Sequence, residues 1–232
     1  MQDLSKHSAL DHLSITDDTG ETLLNQRGTN QVASVPEQAH PKMEGFVKIT
    51  DAETGEVILD KKNAIHYENM SNCIALTMSH QGYGHIHKLV FGNGASTVTG
   101  TGAISYFPPN TTGSEAALYN MTYDAKIVDA NSLLNLDPTR NYVEVAHVEN
   151  QTYTDLVVHC FLDFAEPQGQ EAFDDSPDNE TLFVFDEIGL VSYPLNGEGS
   201  GKLLTHCIFH PLQKSLNRSF EIKYTVRIWM AA

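Results

Sequence analysis

Apolar and polar positions alternate along most of this chain with the period of a β-strand, and one stretch breaks to the period of a helix. Phe46, Val47 and Ile49 lead into the turn-rich cluster Asp51-Ala-Glu-Thr-Gly55, and Val57, Ile58 and Leu59 lead out of it, which predicts a β-hairpin. From Glu68 the spacing changes: Met70, Cys73, Ile74 and Thr77 fall at i, i+3, i+4 and i+7, Ala75, Leu76 and Met78 widen the stripe, and Gly82 stands where a helix would stop. One amphipathic helix near residues 68–80 follows, its methionines read as core packing rather than a binding groove.

Beyond the helix the β signal returns. Tyr83 to Phe91 is strand-like and closes on Gly92-Asn-Gly94, and Ser96 to Pro109 reads as a long surface loop. Ser114 to Tyr119 suits one or two helical turns, and Ala125 to Val128 a short strand. Asn141 to Glu149 alternates and pairs across Asn150-Gln-Thr152 with Thr154 to Phe164, a second hairpin. Thr181 to Tyr193 is the most apolar strand and is expected to be central, and Pro194 to Gly201 reads as a turn-rich tip. Leu203 to Phe209 and Ser219 to Trp229 are the last strands. In the final one Phe220, Ile222, Tyr224, Val226 and Ile228 share one face, while Glu221, Lys223, Thr225 and Arg227 share the other. The fold expected is mainly β: an antiparallel β-sandwich or jelly-roll-like domain over residues 43–232, carrying the one helix.

Residues 1–42 sustain neither period. Leu4, Leu10, Leu13, Ile15, Leu23, Leu24, Val32 and Val35 are scattered among Ser, Thr, Asp, Gln and His. A segment with so few apolar residues becomes ordered by lying on something else, so these eight are the expected subunit-contact residues of an extended N-terminal arm.

With 232 residues there is ample length for a core. The net charge of −16, with only 14 Lys and Arg in all, excludes a surface that grips phosphates, so no tight nucleic-acid binding is expected. Cys73, Cys160 and Cys207 are odd in number and each sits among apolar residues, which reads as buried free thiols of a reducing cytosol. There is no basic stretch followed by an apolar run at the start and no apolar stretch of spanning length, so neither export by the usual signal nor a membrane partner is expected. The six N-x-S/T triplets, at Asn69, Asn110, Asn120, Asn150, Asn179 and Asn217, then reflect an Asn- and Thr-rich chain rather than glycosylation.

Candidate chemistry is sparse. His85 and His87 leave the same face of a strand, as in metal-binding β-barrels, but Lys88 to Gly92 supplies no carboxylate where a cupin-like pattern needs one. A zinc site assembled from His85, His87, His147, His159, His206 or His210 stays as the enzymatic alternative. Asp186 and Glu187 are adjacent in an apolar strand and so point to opposite faces, where they would cap turns or pair with Arg. The acidic run Glu166, Glu171, Asp174, Asp175, Asp178 and Glu180 reads as a solvated loop, its spacing unlike a calcium loop. With no G-x-S-x-G elbow and no phosphate loop, the expectation is no catalytic residue, no metal ligand and no cofactor.

Three stretches together, GFVKITDAETGEVILDKKNAIHYENMS, FVFDEIGL and IFHPLQKSLNRSFEIKYTVRI, resemble virion structural proteins of tailed bacteriophages. The resemblance covers roughly residues 45–80 and 181–230. It implies a non-enzymatic β-sandwich subunit of the neck, collar or tail, located in the virion after assembly in the bacterial host cytoplasm. Its partners would be other virion proteins, and it would form a homo-oligomer in a ring or symmetric array. A capsid decoration or baseplate protein is the alternative within that class. A carbohydrate- or host-binding β-sandwich with an aromatic lip at Tyr106 and Phe107 is the alternative outside it.

Overall fold

The computed structural model describes residues 41–167, 182–195 and 201–230. The eight arm positions from Leu4 to Val35, and Glu171 to Glu180 of the acidic run, lie outside them.

The mainly antiparallel β expectation is met. Among the described residues, eleven strands and one helix follow in the order β1 (Lys42–Asp51), β2 (Val57–Ile65), α1 (Tyr67–Met78), β3 (Ile86–Gly92), β4 (Ser96–Val98), β5 (Ile104–Tyr106), β6 (Met121–Ile127), β7 (Tyr142–His147), β8 (Tyr153–Leu162), β9 (Leu182–Ser192), β10 (Thr205–Ser215) and β11 (Phe220–Trp229). Nine of the strands form one sheet in the order β6-β3-β9-β10-β2-β1-β11-β8-β7, every neighbouring pair antiparallel. The joint between its two wings is narrow. β10 meets β2 only at Thr205 opposite Ile65 and His206 opposite Ala64, and Lys61 Nζ extends it by donating to Ile208 O at 2.7 Å.

At that joint the sheet curls, because both wings share one core. Val47, Ile49, Val158, Leu162 and Ile222 of one wing form a single cluster with Phe91, Phe183, Phe185 and Phe209 of the other. Phe185 stands nearly perpendicular to both Phe91 and Phe209, at ring separations of 5.3 and 5.7 Å, the edge-to-face arrangement that aromatic quadrupoles favour. One buried polar line crosses this core. Tyr224 Oη on β11 donates to Thr205 Oγ1 on β10 at 2.7 Å and accepts from Asn63 Nδ2 on β2.

Both predicted hairpins form, as β1–β2 and β7–β8. In the first, Asp51 Oδ1 accepts from Thr54 N and Glu53 N, while Arg218 donates to Oδ2 through Nε and Nη2. Gly45 faces Asn63 across the ladder, and a Cβ there would lie 1.4 Å from Asn63 Oδ1. The last strand buries Phe220, Ile222, Tyr224 and Val226 as its alternation requires, and it is paired on both sides. All three cysteines are free and buried.

Helix α1 starts one residue early and ends at Met78, short of Gly82; Met70 packs in the core as expected, but Met78 is 83% exposed because the last turn of the helix leaves the core, so the core-packing expectation fails there. His66 caps its start, Nδ1 accepting from Asn69 N while Nε2 donates to Gly113 O, and His80 at φ 54° turns the chain out.

Four local expectations give way. Ser96 to Pro109 is not a plain loop, since β4 and β5 pair within it. Ser114 to Tyr119 is not helical, because a buried carboxylate takes the amides of Tyr119 and Asn120. β10 runs on to Ser215, accommodating Pro211 at a register shift between Ile208 and Leu212, where a missing N–H costs no ladder bond. Glu166 is not a solvated loop residue: it pairs with Lys126 at 2.7 Å and accepts from Tyr123 Oη and Asp163 N.

Among the described residues no helix is long and apolar enough to cross a membrane.

Candidate functional site

The entry to β3 and the exit from β9 run side by side: Gly84 N donates to Tyr193 O and Tyr193 N to His85 O. The register then slips. Ile86 lies opposite Ser192 but Lys88 opposite Val191, so His87 is the extra residue of a β-bulge, a device that re-aims a side chain. Its carbonyl receives two amides, Val128 N at 2.9 Å and Asp129 N at 3.1 Å, from the chain leaving β6. That double bond brings a carboxylate 42 positions away in sequence against the two histidines.

The result is a compact donor group. His85 Nε2 lies 3.1 Å and His87 Nδ1 3.7 Å from Asp129 Oδ2, and the three atoms all fall within 4.8 Å of one another. The histidines differ in environment, the side chain of His85 being 36% exposed and that of His87 only 7%. Tyr193 fixes both rings, stacked on His85 at 5.2 Å and edge-on to His87 at 4.8 Å. Asp129 is oriented from behind, because Oδ1 accepts from Asn131 N at 2.9 Å and leaves Oδ2 free to face the imidazoles.

Among the described residues, buried His87 Nδ1 has no partner at hydrogen-bond distance, Asp129 Oδ2 standing 3.7 Å away, too far for a formed bond. Burial pulls the His87 pKa below its ordinary 6.5, with Asp129 opposing and the neighbouring His85 and Lys88 assisting, so the neutral ring is favoured. The group opens on a cavity of about 510 Å³ whose other walls, including Met70, Ile74, Val143 and Leu156, are mostly apolar.

The remaining candidates are accounted for by their neighbours. Glu187 accepts from Gly94 N and Asn120 N at Oε1, and from Tyr119 N and His206 Nε2 at Oε2, at 2.8–3.1 Å. His206 Nδ1 accepts from Asn110 N at 2.9 Å, so its proton sits on Nε2. Burial pushes the Glu187 pKa up, but the His206 bond and the three amides outweigh it and the net shift is downward. Asp186 accepts from Ala95 N and Ser96 Oγ, and burial, its main influence, raises its pKa. The pair caps turns as expected and, among the described residues, no Arg meets it; Asp186 holds residues 95–96, while Glu187 ties residue 94 to residues 119–120 and His206.

His159 stacks on Tyr142 and meets Glu144, His147 meets Thr154, and His210 meets Tyr106. Among the described residues, the six-histidine alternative therefore shrinks to His85 and His87, completed by Asp129.

A second feature escaped the periodicity. Leu133, Leu134 and Leu136, in the connection between β6 and β7, are 98%, 68% and 96% exposed. The connection is nonetheless well tied. Asn135 Nδ2 donates to the carbonyls of Asp129 and Asn141, Asn141 Nδ2 to that of Asp137, and Arg140 pairs with Asp137 and Asp163. Every polar side chain named here serves the turns, which leaves the leucines outward. The segment was silent in sequence because three leucines in four positions between Asx-rich turns fit neither period.

The lip residues Tyr106 and Phe107 are half-exposed, Phe107 lying 5.2 Å from Tyr119.

Comparison of the chain with protein-family models, with curated proteins and with solved structures returns no match.

Proposed function

We propose that this chain is a non-enzymatic structural subunit of a tailed-phage particle, packed as a multimer at the neck, collar or tail and laced to its neighbours by the arm of residues 1–42. The observation that carries the contact role is the ordered loop that holds Leu133, Leu134 and Leu136 in water. A monomer gains nothing from a pre-formed turn that displays apolar side chains, whereas a contact surface does, since the ordering cost is already met before association. The loop leads directly into β7, which among the described residues is an edge of the sheet, so a row of backbone donors and acceptors without a neighbouring strand there continues the surface.

The occupant that fits is a neighbouring copy of the chain. Between Ser132 and Thr139 the one acidic residue, Asp137, is already paired with Arg140, so the net charge of −16 does not oppose contact there. The phage assignment rests on the resemblance of the three sequence stretches.

Native mass spectrometry of the full chain tests the contact role. A multimer is expected that the triple substitution L133S/L134S/L136S returns to monomer, with stability within about 0.5 kcal/mol because the side chains are exposed. A wild-type monomer at all concentrations, or a multimer indifferent to the substitutions, defeats the reading. A saccharide-binding sandwich is the second reading, favoured by half-exposed Tyr106 and Phe107; affinity for free saccharide would single it out.

A further inference from the structure

The geometry points to a binding site for a zinc-class divalent transition-metal ion held by His85 Nε2, His87 Nδ1 and Asp129 Oδ2. Four observations meet there. The donor set is two imidazoles and a carboxylate, which suits zinc, cobalt and ferrous iron; calcium and magnesium prefer oxygen alone.

The spacing is right. Bonds of about 2.0–2.1 Å at tetrahedral angles put ligand atoms about 3.3 Å apart. The two distances to Asp129 Oδ2, 3.1 and 3.7 Å, bracket that value. The third separation, between the two imidazoles, falls within the 4.8 Å spread of the group.

The third observation is the orphaned nitrogen. His87 Nδ1 is buried without a hydrogen-bond partner among the described residues, on a side chain 7% exposed, and it faces the same carboxylate oxygen as His85. Buried polar atoms in folded proteins nearly always have a partner, and an ion between the three donors supplies one.

Lastly, the ligands have an outer layer that fixes them: Tyr193 against both rings, Asn131 N on the far oxygen of Asp129, and the bulge carbonyl of His87 anchoring the Asp129 backbone. Three protein ligands leave a fourth tetrahedral position for water, reached through the cavity that His85 and Asp129 line. Because Asp129 also opens the leucine-bearing connection, the ion would tie the root of that loop to β3.

The test is metal titration of the full chain after chelator treatment, using Zn2+ by calorimetry and Co2+ by visible absorption. One equivalent is expected, with the d–d bands of a four- or five-coordinate Co2+ site that Zn2+ abolishes. His85→Ala alters an exposed ring and Asp129→Asn keeps its shape, so both should fold. Each is expected to weaken binding by at least about tenfold, the lower bound for losing even an outer-layer partner. Absence of stoichiometric uptake by the folded wild-type chain overturns the site. So does one equivalent that neither substitution weakens, which would place the ion on other residues, or Co2+ bands that excess Mg2+ or Ca2+ removes.

Discussion

Glu187 and His87 are buried polar residues of the same strand pair, β3 and β9, at opposite ends of it, and the fold treats them oppositely. Glu187 stands opposite Gly92 and collects four donors, so a carboxylate with no solvent exposure remains ionised. His87 sits in the bulge at the other end, and its Nδ1 collects none among the described residues. The first cluster is complete within the chain and its work is to hold loops. The second is complete only with something added. A missing partner alone does not mark a ligand site, since buried Asn63 Oδ1 lacks one too; what sets His87 Nδ1 apart is that a second imidazole and a carboxylate converge on it.

The largest effect should come from the satisfied end. Glu187→Ala strips the acceptor from three backbone amides and His206 together and should cost about 3 kcal/mol or more, read as a lowered urea midpoint. An unchanged midpoint would break the comparison at once. Next, free Zn2+ at about 100 times its dissociation constant should stabilise the wild-type chain by about 2.7 kcal/mol and Asp129→Asn by no more than about 1.4 kcal/mol, the value left by a tenfold loss of affinity.

A smaller and opposite expectation attends the unsatisfied end. His87→Leu in metal-free protein removes an unpaired buried nitrogen while keeping apolar bulk, so stability should stay within about 1 kcal/mol and can rise. A loss as large as that at Glu187 would mean that the ring has an internal role.

The subtlest expectation concerns acid. The Thr54 amide foremost, then the Arg218 guanidinium, lower the Asp51 pKa from 3.8 to about 2, so its contribution is present above 3.8 and fades as pH falls through about 2. Asp51→Asn should flatten that part of the stability curve, measured by thermal melts across the range.

Much of this molecule was legible from its residues. The period-two alternation of Phe220 to Ile228 settles which face of β11 is buried, because a strand offers only two faces. The cluster Asp51 to Gly55 dictates a turn through local bonds that need no distant partner. The stripe places Met70, Cys73 and Ile74 on the core for the same reason, whereas Thr77 and Met78 at its C-terminal end, and Ala75 beside it, are exposed. Even the free, buried state of the cysteines follows from their apolar neighbours.

What stayed hidden depends on pairing across long separations. The sequence shows two histidines one residue apart and no carboxylate nearby; only the bulge at His87 and the antiparallel match of β3 with β6 deliver Asp129. Likewise Ser114 to Tyr119 carries helical residues, yet Glu187 claims the amides of Tyr119 and Asn120 and the segment stays a run of turns and bends. The outward leucines of residues 133–136 belong to the same class, since their exposure follows from where Asn135, Asn141 and Arg140 find partners. Sequence periodicity fixes which face of an element is buried, because that is decided by neighbours two residues away in a strand and three or four away in a helix. Which elements meet, and so which polar atoms are left without a partner, is decided by register in the folded sheet, where a slip of one residue re-aims every side chain.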